Sequence, residues 1–203
     1  MRSPLTLPAF SWNHLLVLPI LAAVGAIVLL VLRRTPEYRK GDKLNKICMA
    51  LAEFITLLLF FRFGWTDGFF RGIALIAISL FGSVSDIRSR EVSDVVSVMI
   101  LLAGIRQTEI MPLLFALISA AGAFAFMLVC AILTRNHIGG ADVKFTAAWF
   151  FVLGIYRGTV GLLIGLFASL IGTAIRNAVS GSKDKFLPLI PYLSAGFIIT
   201  YFF

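Results

Sequence analysis

Long apolar runs alternate with short polar or glycine-bearing breaks along the whole chain. The runs occupy residues 12–32, 47–63, 71–85, 92–105, 112–133, 142–155, 158–175 and 187–203. The breaks fall at Gly64 and Gly68, from Gly104 to Pro112, from Asn136 to Gly140, at Gly154 and Gly158, and from Ser180 to Lys185, with the glycine and proline content that ends regular structure. Within the runs there is no strand-like alternation of polar and apolar positions. A crossing helix needs ~20 apolar residues, and several runs are shorter, so their ends are expected to continue as helix into polar sequence. The pattern predicts an all-α fold, a polytopic integral membrane helical bundle of about eight transmembrane helices. A single membrane domain over 1–203 is expected. Residues 1–66 form two N-terminal helices joined by a basic loop, and 67–203 form a six-helix core.

Composition narrows the class. Hydrophobic residues make up 60% of the 203, mean hydropathy is +0.98 and only 14% are charged, against roughly 25% in soluble domains. One soluble core cannot hide that much apolar surface, and a disordered chain would not carry it. The first run does not read as a cleaved signal. Only Arg2 precedes it, while the cluster Arg33, Arg34, Arg39, Lys40, Lys43 and Lys46 follows, the arrangement of an uncleaved span with its N-terminus outside. Alternating from that cluster as cytoplasmic puts twelve Lys and Arg on the inside loops and five outside, with Lys144 inside a span. This follows the positive-inside rule and places both termini outside a cell membrane. The net charge of +8 is therefore assigned to topology and to anionic lipid headgroups, with no nucleic-acid partner. Cys48 and Cys130 lie in apolar runs without a C-x-x-C spacing and read as buried apolar residues. Gly158, Gly161, Gly165, Ala168 and Gly172 form a small-residue packing face. Trp12, Trp65 and Tyr156 sit at run ends, as interface anchors do.

Of the ten acidic residues, six lie in hydrophilic stretches, and Asp94 suits the start of a helix. Glu53, Asp86 and Asp142 stand at or inside apolar runs, where an unpaired carboxylate costs a few kcal/mol. Glu53 either snorkels, bonds a neighbouring helix or touches a substrate. Asp86 closes one run and Asp142 opens another. The intervening spans go out and back, so both acids return to one leaflet, the cytoplasmic one by the charge count. Two carboxyls facing each other across a membrane surface share a proton, because like charges cannot both ionise cheaply. The ionised one can take a proton from water while the other donates to a carbonyl oxygen. This is aspartyl protease chemistry, and it needs no metal or cofactor. His14 and His137 cannot supply a metal site alone; His137 lies close enough in sequence to tune the site or is a solvated loop residue.

Before Asp142 stand Gly139, Gly140 and Ala141. They leave the backbone bare enough for a substrate strand to approach, although an ordinary helix–helix loop of small residues would look the same. The stretch Gly139-Gly140-Ala141-Asp142-Val143-Lys144 resembles the G-x-G-D-x-K signature of the type IV prepilin peptidases, membrane aspartyl proteases of the GxGD group related to archaeal preflagellin peptidases. Asp86 to Asp94 is similar to that family's Asp, basic stretch and Ile-Pro-Asn sequence, and Pro188 to Gly196 to its last span. The resemblance covers roughly residues 70–203. Ala141 stands where the signature has its second glycine, and Ser93 where the family has proline. The zinc-binding insertion with two C-x-x-C pairs is missing, so the resemblance is to the short form. N-methyltransferase activity, associated with the larger form, is not expected. The resemblance implies Asp86 and Asp142 as the catalytic pair, with 67–203 as the peptidase core. Gly139, Gly140, Ala141 and Lys144 become candidate substrate-binding residues. Lys144 lies too far around the helix to pair with Asp142 and could instead anchor at headgroups or hold the loop. The implied partner is a prepilin or pilin-like precursor, whose short basic leader is cut at the cytoplasmic face. Asp42, Glu91, Asp94 and Asp184 could steer that leader. Two other readings are a small proton- or cation-coupled transporter and a non-catalytic pilin assembly factor.

Overall fold

The computed structural model describes residues 17–33, 43–105, 110–134, 138–180 and 188–203. His14, His137, Trp12, Asp42 and Asp184 lie outside them. The described residues form helices α1 (Val17–Leu32), α2 (Lys43–Phe63), α3 (Asp67–Ser89), α4 (Asp94–Gly104), α5 (Ile110–Leu133), α6 (Gly140–Ser180) and α7 (Ile190–Tyr201). The chain is an all-α polytopic membrane bundle. Four of these helices, α2, α3, α5 and α6, are long and apolar enough to cross a membrane, while α4 and α7 are shorter apolar helices.

Local sequence sets the helix ends. Asp67 and Asp94 occupy the first turns of α3 and α4, and Arg88 the last turn of α3, each with the sign that suits the helix dipole. The α3 helix stops where Arg90 turns left-handed (φ 55°) and its N–H returns to the Asp86 carbonyl at 3.1 Å. Ser93 then caps α4, its side chain accepting from the Val95 N–H at 3.3 Å. Its φ of −64° is the value a proline ring would impose. Serine therefore keeps the backbone that proline would have set and adds a cap.

α6 is two helices. Gly154 adopts φ 74°, ψ 177°, a conformation open to glycine and strained for other residues. Phe145 lies 6.4 Å from Phe197, ring centre to ring centre, and a methyl on Gly161 would also run into the Phe197 ring. A straight helix would hold positions 145 and 161 about 24 Å apart, so the chain reverses at Gly154. The limbs 140–153 and 155–180 lie side by side, with the Phe150 ring filling the place of a side chain at Gly158. Among the described residues each apolar run thus holds a helical segment, with α6 carrying two of them, and four helices reach crossing length.

The second limb uses its small residues to lie against α7. Substituents at Gly161 and Gly165 would meet Gly196, Leu193 and Tyr192, and one at Gly196 would enter the backbones of Gly161 and Gly165. This is the close approach that small residues allow between membrane helices. α3, α4, α6 and α7 form a diamond. α4 and α7 each touch both α3 and α6, whereas among the described residues α3 and α6 do not come close to one another. Trp149, Phe145, Phe197, Leu75, Ile100 and Leu193 fill the interior. α5 packs along α6, and α1 and α2 pack on each other and on α3.

Candidate active site

The alternation of helix direction gathers the end of α3 and the starts of α4, α6 and α7 at one end of the diamond. Asp86 sits there in the last turn of α3, 9% exposed. Its Oδ2 accepts the Ile190 N–H at 3.0 Å, and the Leu189 N–H also bonds to it. The first N–H groups of a helix lack partners within it. A carboxylate from α3 therefore caps α7, and the dipole of α7 favours the negative charge. The Arg90 charge also acts on Asp86.

Asp142 is the third residue of α6. Its Oδ2 accepts the Gly139 N–H at 3.1 Å, while its own N–H reaches the Gly139 carbonyl at 3.1 Å. The acid at the third helical position thus supplies one half of a capping box, while Gly139, having no side chain, answers only through its backbone carbonyl. Asp142 is half-buried, and its carboxyl lies near enough to Asp86 to feel that charge. Two helices whose backbones stay apart among the described residues thus each carry a carboxyl at this end of the bundle.

Around the pair, Ser85 Oγ donates to the Glu91 carbonyl at 2.7 Å and Ser89 Oγ to the Ser85 carbonyl at 2.9 Å. These bonds tie the end of α3 to the loop that follows. Arg88 donates to Asn45 of α2 at 2.6 Å. Lys144 pairs with Asp94 at 2.7 Å, joining the starts of α6 and α4 at the surface, so it holds an α4 contact and not Asp142. A methyl on Gly139 would come within 3.2 Å of Asp142 Oδ2, but at Gly140 nothing stands within 4 Å. The fold itself does not require a bare backbone at Gly140. Glu53 is exposed on α2, with its carboxylate filling the space beside Gly25 of α1.

Below the acids, each helix carries a polar stripe at heptad spacing: Ser79, Ser83 and Asp86 on α3, and Asp142, Thr146 and Trp149 on α6. Ser83 Oγ lies 3.2 Å from Ser194 Oγ of α7. Ser79 Oγ, Thr146 Oγ1 and Trp149 Nε1 are fully buried without a partner among the described residues, the kind of group that internal water satisfies. Sequence reading missed these residues and the N-terminus of α7. The stripes were visible as polar residues recurring four and three apart within apolar runs. Among the described residues no group of three His, Cys, Asp or Glu side chains could hold a metal ion.

Both acids lie inside residues 73–176, the stretch matched by the sequence model of the type IV leader peptidase family. The chain belongs to that family. It is also 29% identical over 160 residues to the Prepilin leader peptidase/N-methyltransferase of Bacillus subtilis (strain 168), an alignment covering 75% of this chain and 64% of that relative. The chain thus spans a little under two thirds of the relative's length. No solved structure matches it significantly. Membership of the leader peptidase family and the apolar helices together mark a multi-pass membrane protein.

Proposed function

We propose that this protein is a membrane aspartyl endopeptidase that removes the short basic leader from prepilin-like precursors at the cytoplasmic membrane face. The observation that carries the proposal is the convergence of Asp86 and Asp142 from α3 and α6 at one end of the bundle, inside the family-matched stretch. Two carboxyls that feel each other's charge hold one proton between them more readily than two negative charges. The ionised member takes a proton from water as the water oxygen attacks the scissile carbonyl carbon. The protonated member donates to the carbonyl oxygen. Collapse of the tetrahedral adduct breaks the C–N bond, and a proton passes from the acids to the leaving amine. The pair acts through residues of 67–203, the six-helix peptidase core.

Gly140 opens the approach for the substrate backbone beside Asp142, with Gly139 and Ala141 keeping that edge low. Lys144 borders the same edge while bound to Asp94, so any contact with the precursor competes with that pair. The cytoplasmic assignment rests on the twelve-to-five bias of Lys and Arg, which puts both termini outside. Anionic headgroups at that face are partners for the basic loops. The test is leader removal from a co-expressed pilin precursor in membranes. Wild type is expected to cleave, and Asp86→Asn and Asp142→Asn each to leave the precursor intact while still accumulating in the membrane. Cleavage persisting in either variant would overturn the proposal.

A further inference from the structure

At the opposite end of the bundle, α3, α4, α5 and the reversal of α6 enclose a cavity of about 910 Å³. Arg71, on its wall, stands 15 positions before Asp86 on α3, about 22 Å along the helix. The cavity is therefore separate from the acid pair. Two features of the fold create it. α4 ends at Gly104 after 11 residues, about 16 Å of helix, well short of the ~30 Å hydrocarbon thickness. α5 leans on α6 and, among the described residues, does not approach α3 or α4, leaving a cleft on that side.

The lining is amphipathic. Leu75, Ala103, Leu113, Ala116, Phe151 and Val152 supply apolar wall, while Arg71, Arg157, Asp67, Thr66 and Ser119 supply the polar groups. Among the described residues, two of these polar groups lack partners. Ser119 is 4% exposed, and its hydroxyl meets no hydrogen-bonding atom. Arg71, one turn into α3, is half-buried and, among the described residues, makes no ion pair or hydrogen bond, not even to Asp67 one turn away. Arg157 donates to the Phe203 carbonyl at 2.9 Å through one nitrogen and keeps four further N–H donors. Among the described residues that line the cavity there are two guanidiniums, Arg71 and Arg157, and one carboxylate, Asp67. A half-buried guanidinium in a membrane helix is expensive unless an anion meets it.

We infer that this cavity is a binding site for an anionic glycerophospholipid. The phosphate is held by Arg71, with Arg157 alongside, and an acyl chain covers the apolar wall. Guanidinium recognises phosphate through paired N–H donors. A small inorganic anion would satisfy the polar groups but leave the wall of Leu75, Phe151 and Val152 uncovered. The site lies at the end of the bundle away from the acids, where it can hold α5 against the rest of the helices without touching the site of chemistry.

The test uses the full chain, purified in detergent, stripped of lipid and titrated while native mass spectrometry counts bound lipid. Phosphatidylglycerol is expected to bind at least about tenfold more tightly than phosphatidylcholine. Arg71→Gln is expected to erase most of that preference. Ala116→Phe, which fills the cavity and leaves every charge in place, is expected to abolish the binding as well. Inorganic phosphate at high millimolar concentration is expected not to displace the lipid. Equal affinity for the two lipids would overturn the inference, as would unchanged phosphatidylglycerol binding in Ala116→Phe or displacement by phosphate alone, which would mark a free-anion site. Should Arg71→Gln fail to fold, Ala116→Phe and the phosphate competition decide the matter.

Discussion

Asp86 has two separable duties, and substitutions can divide them. Its charge is needed for the proposed chemistry, while its oxygen caps α7 through the Ile190 N–H at 3.0 Å and the Leu189 N–H. Asp86→Asn keeps an acceptor oxygen and loses the charge. Asp86→Ala loses both and strands two N–H groups at a buried helix start. A lost cap costs about 0.5–2 kcal/mol, and a buried donor left unpaired costs about 1–3. We therefore expect Asp86→Ala to destabilise by about 2–4 kcal/mol and Asp86→Asn by about 1. Asp142 accepts from a single exposed N–H, so Asp142→Ala should cost no more than about 1 kcal/mol. Activity should follow a different order. Removing one member of an acid–base pair that works as a unit should lower kcat by at least ~10³-fold, about 4 kcal/mol of barrier, equally for Asp86→Asn and Asp142→Asn. The assay is cleavage of a purified leader-bearing precursor in nanodiscs, with thermal unfolding followed on the same samples. A rate for Asp86→Asn within tenfold of wild type would sink the catalytic half of the reasoning. An Asp86→Ala protein as stable as Asp142→Ala would sink the structural half.

Three further outcomes are expected. Gly140→Ala meets nothing within 4 Å, so stability should stay within about 0.5 kcal/mol of wild type. Cleavage should nonetheless show a raised KM, and an unchanged KM would remove Gly140 from the substrate path. Gly196→Ala drives a methyl into the backbones of Gly161 and Gly165. It should cost at least about 1–3 kcal/mol, read as a lower Tm in detergent, whereas Ala195→Ser on the exposed neighbour should not. Lys144 and Asp94 are 47% and 66% exposed, so after solvent screening their pair is worth under about 1 kcal/mol. Lys144→Met and Asp94→Asn should give equal, non-additive losses in Tm, and a rise in KM confined to Lys144→Met would mark a contact with the precursor.

The sequence by itself determined that the chain is helical and membrane-embedded, because apolar runs of this length leave the backbone no way to satisfy its polar groups in lipid except within helices. It also placed the breaks closely. Gly154 marked a boundary because only a residue without Cβ tolerates the reversal there, and Gly161, Gly165 and Gly172 announced a packing face by spacing alone, though not that α7 would cover it. Asp86 and Asp142 stood out because carboxylates are costly at the edge of apolar runs. Only the tertiary structure decided what those carboxylates touch. That α7 would present its first N–H groups to Asp86, from more than 100 positions away, is a matter of helix packing that no local pattern encodes. The same holds for Lys144, whose partner Asp94 belongs to another helix, and for Arg71 and Ser119, which share a cavity only because α4 is short and α5 leans on α6. Helix formation is governed by residues within a turn of one another, whereas a site is governed by which helix ends the packing brings together.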